Sequence, residues 1–196
     1  MIRRWPLILV NVAGMVLFTA LFMQKNNFEF LYYNAAIVLS IVPVIVLVWS
    51  TESTGNYPSW LLWALTGWGV LHMAGGLVYV GGTRLYDIDI IPLLTGVGVF
   101  RFDRLVHAVG LFLLTICLHS MKLPWRRWAI EKNTGVAGTM LIFAVLQEGL
   151  EQVGSAILPQ TGVGDYIDTT GDIIADVIGI AFALLCIRLI RKEKKN

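Results

Sequence analysis

The chain has 196 residues, of which 57% are hydrophobic and 14% charged, with a net charge of +2 and a mean hydropathy of +0.72. Soluble domains carry roughly 25% charged residues, so this composition excludes an ordinary soluble domain, and so small a charge excludes nucleic acid as the expected partner. The length allows one domain, 1–196, with no room for a separate soluble one.

Six hydrophobic runs, each near the ~20 residues of a helical span, cover roughly 5–23, 32–50, 60–80, 102–120, 135–157 and 170–190. The first follows Arg3 and Arg4 but is too long for a signal-peptide core. It ends without a small-x-small cleavage site, so it is expected to stay attached. Cys117 and Cys186 lie in apolar runs and read as buried thiols. Between the third and fourth runs, the stretch from Ile88 to Val99 is broken by Pro92 and two glycines and suits a re-entrant or interfacial segment. The connection 158–169 is rich in glycine and could move as a lid.

Orientation follows from lysine and arginine placement. Arg3 and Arg4, the group Lys122, Arg126, Arg127 and Lys132, and the tail from Arg188 to Lys195 all fall on one side, eleven in all. Lys25, Arg84, Arg101 and Arg104 fall on the other. The fold expected is therefore all-α: a polytopic plasma-membrane protein with six transmembrane helices and both termini cytoplasmic. Trp5, Trp49, Trp60, Trp125 and Trp128 fall near the interfaces as an aromatic belt.

Ionisable residues inside spans cost at least roughly 2.5 kcal/mol each and mark functional sites by default. His72 lies about 12 Å below the outer surface, His107 about 7 Å in from Asp103, Glu148 and Glu151 about 14 and 9 Å deep, and Asp176 about 9 Å deep, at 1.5 Å per helical residue. Asp172 sits near the entrance and Asp168 just outside, where it could serve as an N-cap. Asp103 and His107, Glu148 and Glu151, and Asp168, Asp172 and Asp176 are each three or four apart, so each set shares one helix face. Those faces should turn away from lipid and meet. Six carboxylates against Arg104 and two histidines would leave excess negative charge, answered by water, by protons shared among carboxylates, or by a cation. Oxygen ligands with imidazole suit Mg, Mn, Zn or Fe, in the manner of bundle-core metal sites.

Four features have plainer readings. His107 could simply hydrogen-bond Asp103, and His119 beside Lys122 reads as a solvated helix end. Gly75 and Gly76 should permit close packing beside His72. Leu158-Pro159-Gln160-Thr161-Gly162 matches the LPxTG pattern of cell-wall sorting signals, but the run that follows carries Asp172 and Asp176, which a disposable anchor does not need.

His72-Met-Ala-Gly-Gly with Tyr79, then Phe102-Asp103-Arg104-Leu105-Val106-His107, Glu148-Gly-Leu-Glu151, and Tyr166-Ile-Asp168-Thr169-Thr-Gly-Asp172 leading to Asp176 and Gly179, together resemble the YjdF-like family of bacterial inner-membrane proteins. More distantly they resemble VanZ-like proteins, associated with envelope phenotypes and glycopeptide resistance. The resemblance covers residues 30 to 190 and implies fold and site without implying a reaction.

Three classes of function follow. The first is a metal-dependent enzyme acting on an envelope lipid, a lipid-linked substrate or another small molecule. Its catalytic candidates are Asp103, Arg104, Glu148 and Glu151, and its metal ligands come from His72, His107, Glu148, Glu151, Asp172 and Asp176. Arg101 or Arg104 could pair with a phosphate. The second is a proton- or cation-coupled transporter, and the third a noncatalytic membrane partner. Membrane lipids are partners in all three, and no oligomeric state follows from any.

Overall fold

The computed structural model describes residues 5–35, 58–91, 101–121, 131–158, 161 and 166–193. Helix α1 spans Trp5–Gln24 and α2 is helical over 28–35. Then come α3 (Ser59–Leu77), strands β1 (Tyr79–Val80) and β2 (Thr83–Arg84), a 3-10 turn at Leu85–Asp87, α4 (Phe102–Ser120), α5 (Lys132–Ile157) and α6 (Tyr166–Glu193). α1 from Pro6, α4, and α6 from Ile167 are long and apolar enough to cross a membrane. α3 and α5 are comparably long, but Trp60, Trp63, Trp68 and His72 in one and Gln147, Glu148, Glu151 and Gln152 in the other lower their hydropathy.

The expected runs are shifted at their ends. The third expected run extends to residue 80, yet α3 stops at Leu77, and Tyr79 and Val80 enter an antiparallel hairpin that pairs Tyr79 with Arg84. Gly81 and Gly82 make that turn with φ of +60° and +85°, a backbone region that costs a side-chain-bearing residue energy. α2 begins at 28 rather than 32, and its course after 35 lies outside the described residues. α6 begins at Tyr166, so Asp168 sits within the first helical turn and is not its cap. Of the segment 88–99, residues 88–91 are described; residue 89 bridges to Arg101, and the part from Pro92 to Phe100 lies outside the described residues.

α4 and α6 form the centre of the bundle. A Cβ on Gly179 would collide with the Ala108 carbonyl oxygen of α4, so the two backbones touch at that point. A Cβ on Gly110 would fall 2.6 Å from the Trp68 ring of α3, whose Nε1 donates to the Val106 carbonyl at 2.8 Å. Gly75 and Gly76 also permit close approach, but of aromatic rings rather than a helix backbone: Tyr86 lies over the first and Phe30 over the second. Two apolar clusters result. Phe22, Phe30, Met73, Tyr86 and Val106 fill the hairpin end, and Leu111, Met140, Ala144 and Ile180 fill the middle of α4, α5 and α6. Polar side chains join the outer helices, with Asn11 donating to Thr66 at 2.9 Å and Asn34 to Thr19 at 2.7 Å.

α5 starts at an exposed N-cap, Glu131, whose carboxylate accepts from the Thr134 N–H at 3.0 Å. That backbone donor, with the Asn133 N–H, holds the carboxyl below its usual range. A carboxyl lowered by folding contributes stability above its unfolded pKa and loses it as pH falls through the folded value. Glu131→Ala should therefore lower the thermal midpoint at pH 7, and the gap from wild type should close in acid. A gap that stays constant through acid titration would show that the cap's charge contributes nothing.

Candidate functional site

Every helix that carries one of the predicted acidic or histidine residues brings it to the hairpin end of the bundle. α4 supplies Asp103, Arg104 and His107, α5 supplies Glu148 and Glu151, and α6 supplies Asp168, Asp172 and Asp176. Residues three or four apart share a helix face, and the contact between Gly179 and Ala108 brings the α6 face against that of α4.

At the mouth, Asp168 accepts from two guanidinium groups, Arg101 Nη1 at 3.0 Å and Arg104 Nη2 at 3.1 Å. Arg104 Nε lies 3.7 Å from Asp172 Oδ1. The Arg104 guanidinium rests directly on Gly171, where any Cβ would displace it. Arg104, read as a phosphate partner, is thus already committed to two α6 carboxylates. Arg101, with its side chain 36% exposed, is the more accessible of the two.

Deeper in, His107 is surrounded by acids. Its Nε2 lies 3.7 Å from Asp103 Oδ1, and its Nδ1 lies 3.6 Å from Glu148 Oε1 and 3.3 Å from Asp176 Oδ1. The Asp103 contact that would have made His107 a simple structural pair is therefore one of three. Asp103, His107 and Asp172 form one set whose ligand atoms all lie within 4.8 Å of one another, and His107, Glu148 and Glu151 form a second. Ligands about 2.1 Å from an ion lie about 3.0 Å apart when cis and about 4.2 Å when trans, so each set would draw together to hold one.

Glu148 Oε1, Asp172 Oδ1 and Asp176 Oδ2 are buried with no hydrogen-bond partner among the described residues. Buried polar atoms are normally satisfied. Asp168 is matched by the two arginines and Asp172 Oδ1 lies 3.7 Å from Arg104 Nε, whereas Asp103, Glu148 and Asp176 all lie against the His107 imidazole. Carboxylate oxygens left over around one basic group are a donor set that a hard cation fits.

Asp103, Glu148, Glu151 and Asp172 line a cavity of about 30 Å³ together with Phe30, Tyr33 and Tyr86, while His107 and Asp176 are not among its lining residues. His72 also lines it but joins neither ligand set. Its Nδ1 is hydrogen-bonded to the Tyr86 hydroxyl at 2.5 Å, and its ring stacks on Trp68. Below the cavity the cluster of Leu111, Met140, Ala144 and Ile180 forms an apolar floor.

Several wall residues carry no motif in the sequence. Glu29 pairs with Arg84 at 3.2 Å, and Arg84 also grips Asp87 at 3.0 Å. Tyr33 reaches the same cavity, and its buried hydroxyl has no hydrogen-bond partner among the described residues. Glu29 and Tyr33 are four apart at the start of α2, so the spacing rule that found the other pairs also finds this one. His119 is buried, 6% exposed, and is not the solvated helix end its position suggests. Trp60 is exposed as an interfacial tryptophan should be, whereas the side chains of Trp5, Trp49, Trp125 and Trp128, and Pro159, Gln160 and Gly162 of the sorting-like motif, lie outside the described residues.

Apolar helices of spanning length enclosing a buried acidic and histidine centre define a helical membrane protein. The chain belongs to the family described as Predicted membrane protein (DUF2238), matched over residues 6–193. No curated protein and no solved structure matches it.

Proposed function

We propose that this is a metal-dependent membrane enzyme whose substrate is an envelope lipid or a lipid-linked molecule, working from the outer side of the plasma membrane. The reading rests on one observation above all: Glu148 and Asp172, each with a buried carboxylate oxygen that has no hydrogen-bond partner among the described residues, line a cavity of about 30 Å³, and the His107 imidazole lies within ligand-set distance of both. A space that size takes an ion with a water or two and no headgroup, so only the reacting group of a substrate enters while its body stays at the mouth beside Arg101. His107 with Asp103, Asp172, Glu148 and Glu151 would hold the ion. A divalent metal there supplies Lewis acidity toward a phosphoryl or carbonyl oxygen, or an activated water. Arg101, the more exposed of the two arginines at the mouth, would orient an anionic group. The YjdF-like resemblance, and the more distant VanZ-like one, support an inner-membrane, envelope-facing setting.

Elemental analysis tests the metal. Purified wild type should carry a divalent cation in stoichiometric amount, and Glu148→Gln should lose it. Equal, substoichiometric content in both would leave transport or a noncatalytic role.

The transport reading draws on α4, where Thr115 and His119, deeper along the helix than His107, are also buried. Leu111, 1% exposed, lies between them and His107 together with the apolar floor. A closed floor favours the enzyme.

The six-span arrangement with both termini cytoplasmic is checked by thiol labelling of intact cells. A cysteine at exposed Thr83 in the hairpin should react with an impermeant reagent, and one at Lys132 should not. Labelling at 132 alone would turn the site to the cytoplasmic side.

A further inference from the structure

We propose that Asp176 is a positioning residue that accepts the proton of His107 Nδ1, so that Nε2 is the ligand atom His107 presents beside Asp103 and Asp172. This rests on the metal reading above. Asp176 is fully buried, 0% exposed, and like His107 is not among the residues that line the cavity, whereas Asp103 and Asp172 are. It lies one helical turn past Asp172 on α6, against Nδ1 of the imidazole, whereas Asp103 lies against Nε2. Asp176 Oδ1 lies 3.3 Å from Nδ1, within hydrogen-bond distance, while Nε2 lies 3.7 Å from Asp103, which lines the cavity. A neutral imidazole carries one proton, and a ring donating through Nδ1 leaves its Nε2 lone pair free. Metal-bound histidines characteristically give their other N–H to a carboxylate, which fixes tautomer and ring angle. Glu148 Oε1, 3.6 Å from Nδ1, is the rival acceptor. The Asp176 contact is shorter, and Glu148, unlike Asp176, lines the cavity and belongs to a ligand set. α6 thus contributes a ligand and the residue that aims a ligand on α4 from positions four apart.

The test uses full-length, metal-stripped protein in detergent, titrated with Co²⁺ and followed by visible absorption. Asp176→Leu should bind Co²⁺ about 10–100-fold more weakly, the usual cost of removing a group that orients a ligand. Asp176→Asn keeps an oxygen acceptor and should retain most of the affinity. At saturating Co²⁺ both variants should show the wild-type spectrum, because the coordinating atoms are unchanged. A different spectrum at saturation would make Asp176 a ligand and overturn the proposal, as would unchanged affinity in Asp176→Leu. Wild type that binds no Co²⁺ would remove the metal reading instead. The hydrogen bond is then judged by ¹⁵N spectra of histidine-labelled, metal-free wild type, which also serve if Asp176→Leu does not fold. A proton on Nδ1 with Nε2 bare is expected, and a proton on Nε2 overturns the proposal.

Discussion

Gly179→Leu is expected to be the most destabilising single substitution near the site. Even a Cβ would overlap the Ala108 carbonyl oxygen and sit 3.0 Å from its carbon, and backbone cannot rotate out of the way as a side chain can. Overpacking of this kind costs about 1–3 kcal/mol and occasionally more. Here α4 and α6 must part, which separates Asp103 and His107 from Asp172 and Asp176. Thermal unfolding in detergent should show a midpoint several degrees below wild type, with metal retention lost in parallel. Gly179→Ala should show a smaller change in the same direction. A leucine variant as stable as wild type would mean that the two helices do not meet at this point.

Glu151→Gln separates a cation site from a merely structural acid cluster. If the acids only crowd one another, removing one charge relieves repulsion, and stability holds or rises. If a cation bridges them, the same change deletes a ligand. A cation at 100 times its Kd stabilises the folded state by about 2.7 kcal/mol, or about 5–10 °C for a chain of this size. Wild type should gain that much with the fitting member of Mg, Mn, Zn or Fe, and Glu151→Gln should lose most of it. A variant as stable as wild type, with both indifferent to every divalent ion, would sink the metal.

Much of the site was legible because helical periodicity is a local property. Spacings of three and four placed Asp103 with His107, Glu148 with Glu151, and Asp172 with Asp176 on single faces, and the cost of ionisable groups in lipid required those faces to turn inward. The same rule, applied to α2, would have added Glu29 and Tyr33. The unread elements were those whose partners are distant in sequence and free of any motif, as in the Glu29–Arg84 pair, 55 residues apart.

By itself, the sequence determined that the chain is a helical membrane protein, where its apolar runs lie, and which acids and histidines share a face. These depend on composition and on the period of one helix. Tertiary structure decided which partner each ionisable group takes: His72 went to Tyr86, Arg104 to Asp168 and Asp172, and the two nitrogens of His107 to Asp103 and Asp176. Those choices turn on the rotation and separation of helices. Glycine contacts such as Gly179 on Ala108, Gly171 under Arg104 and Gly110 against Trp68 set them, and the period of a single helix carries no information about what will lie across from it.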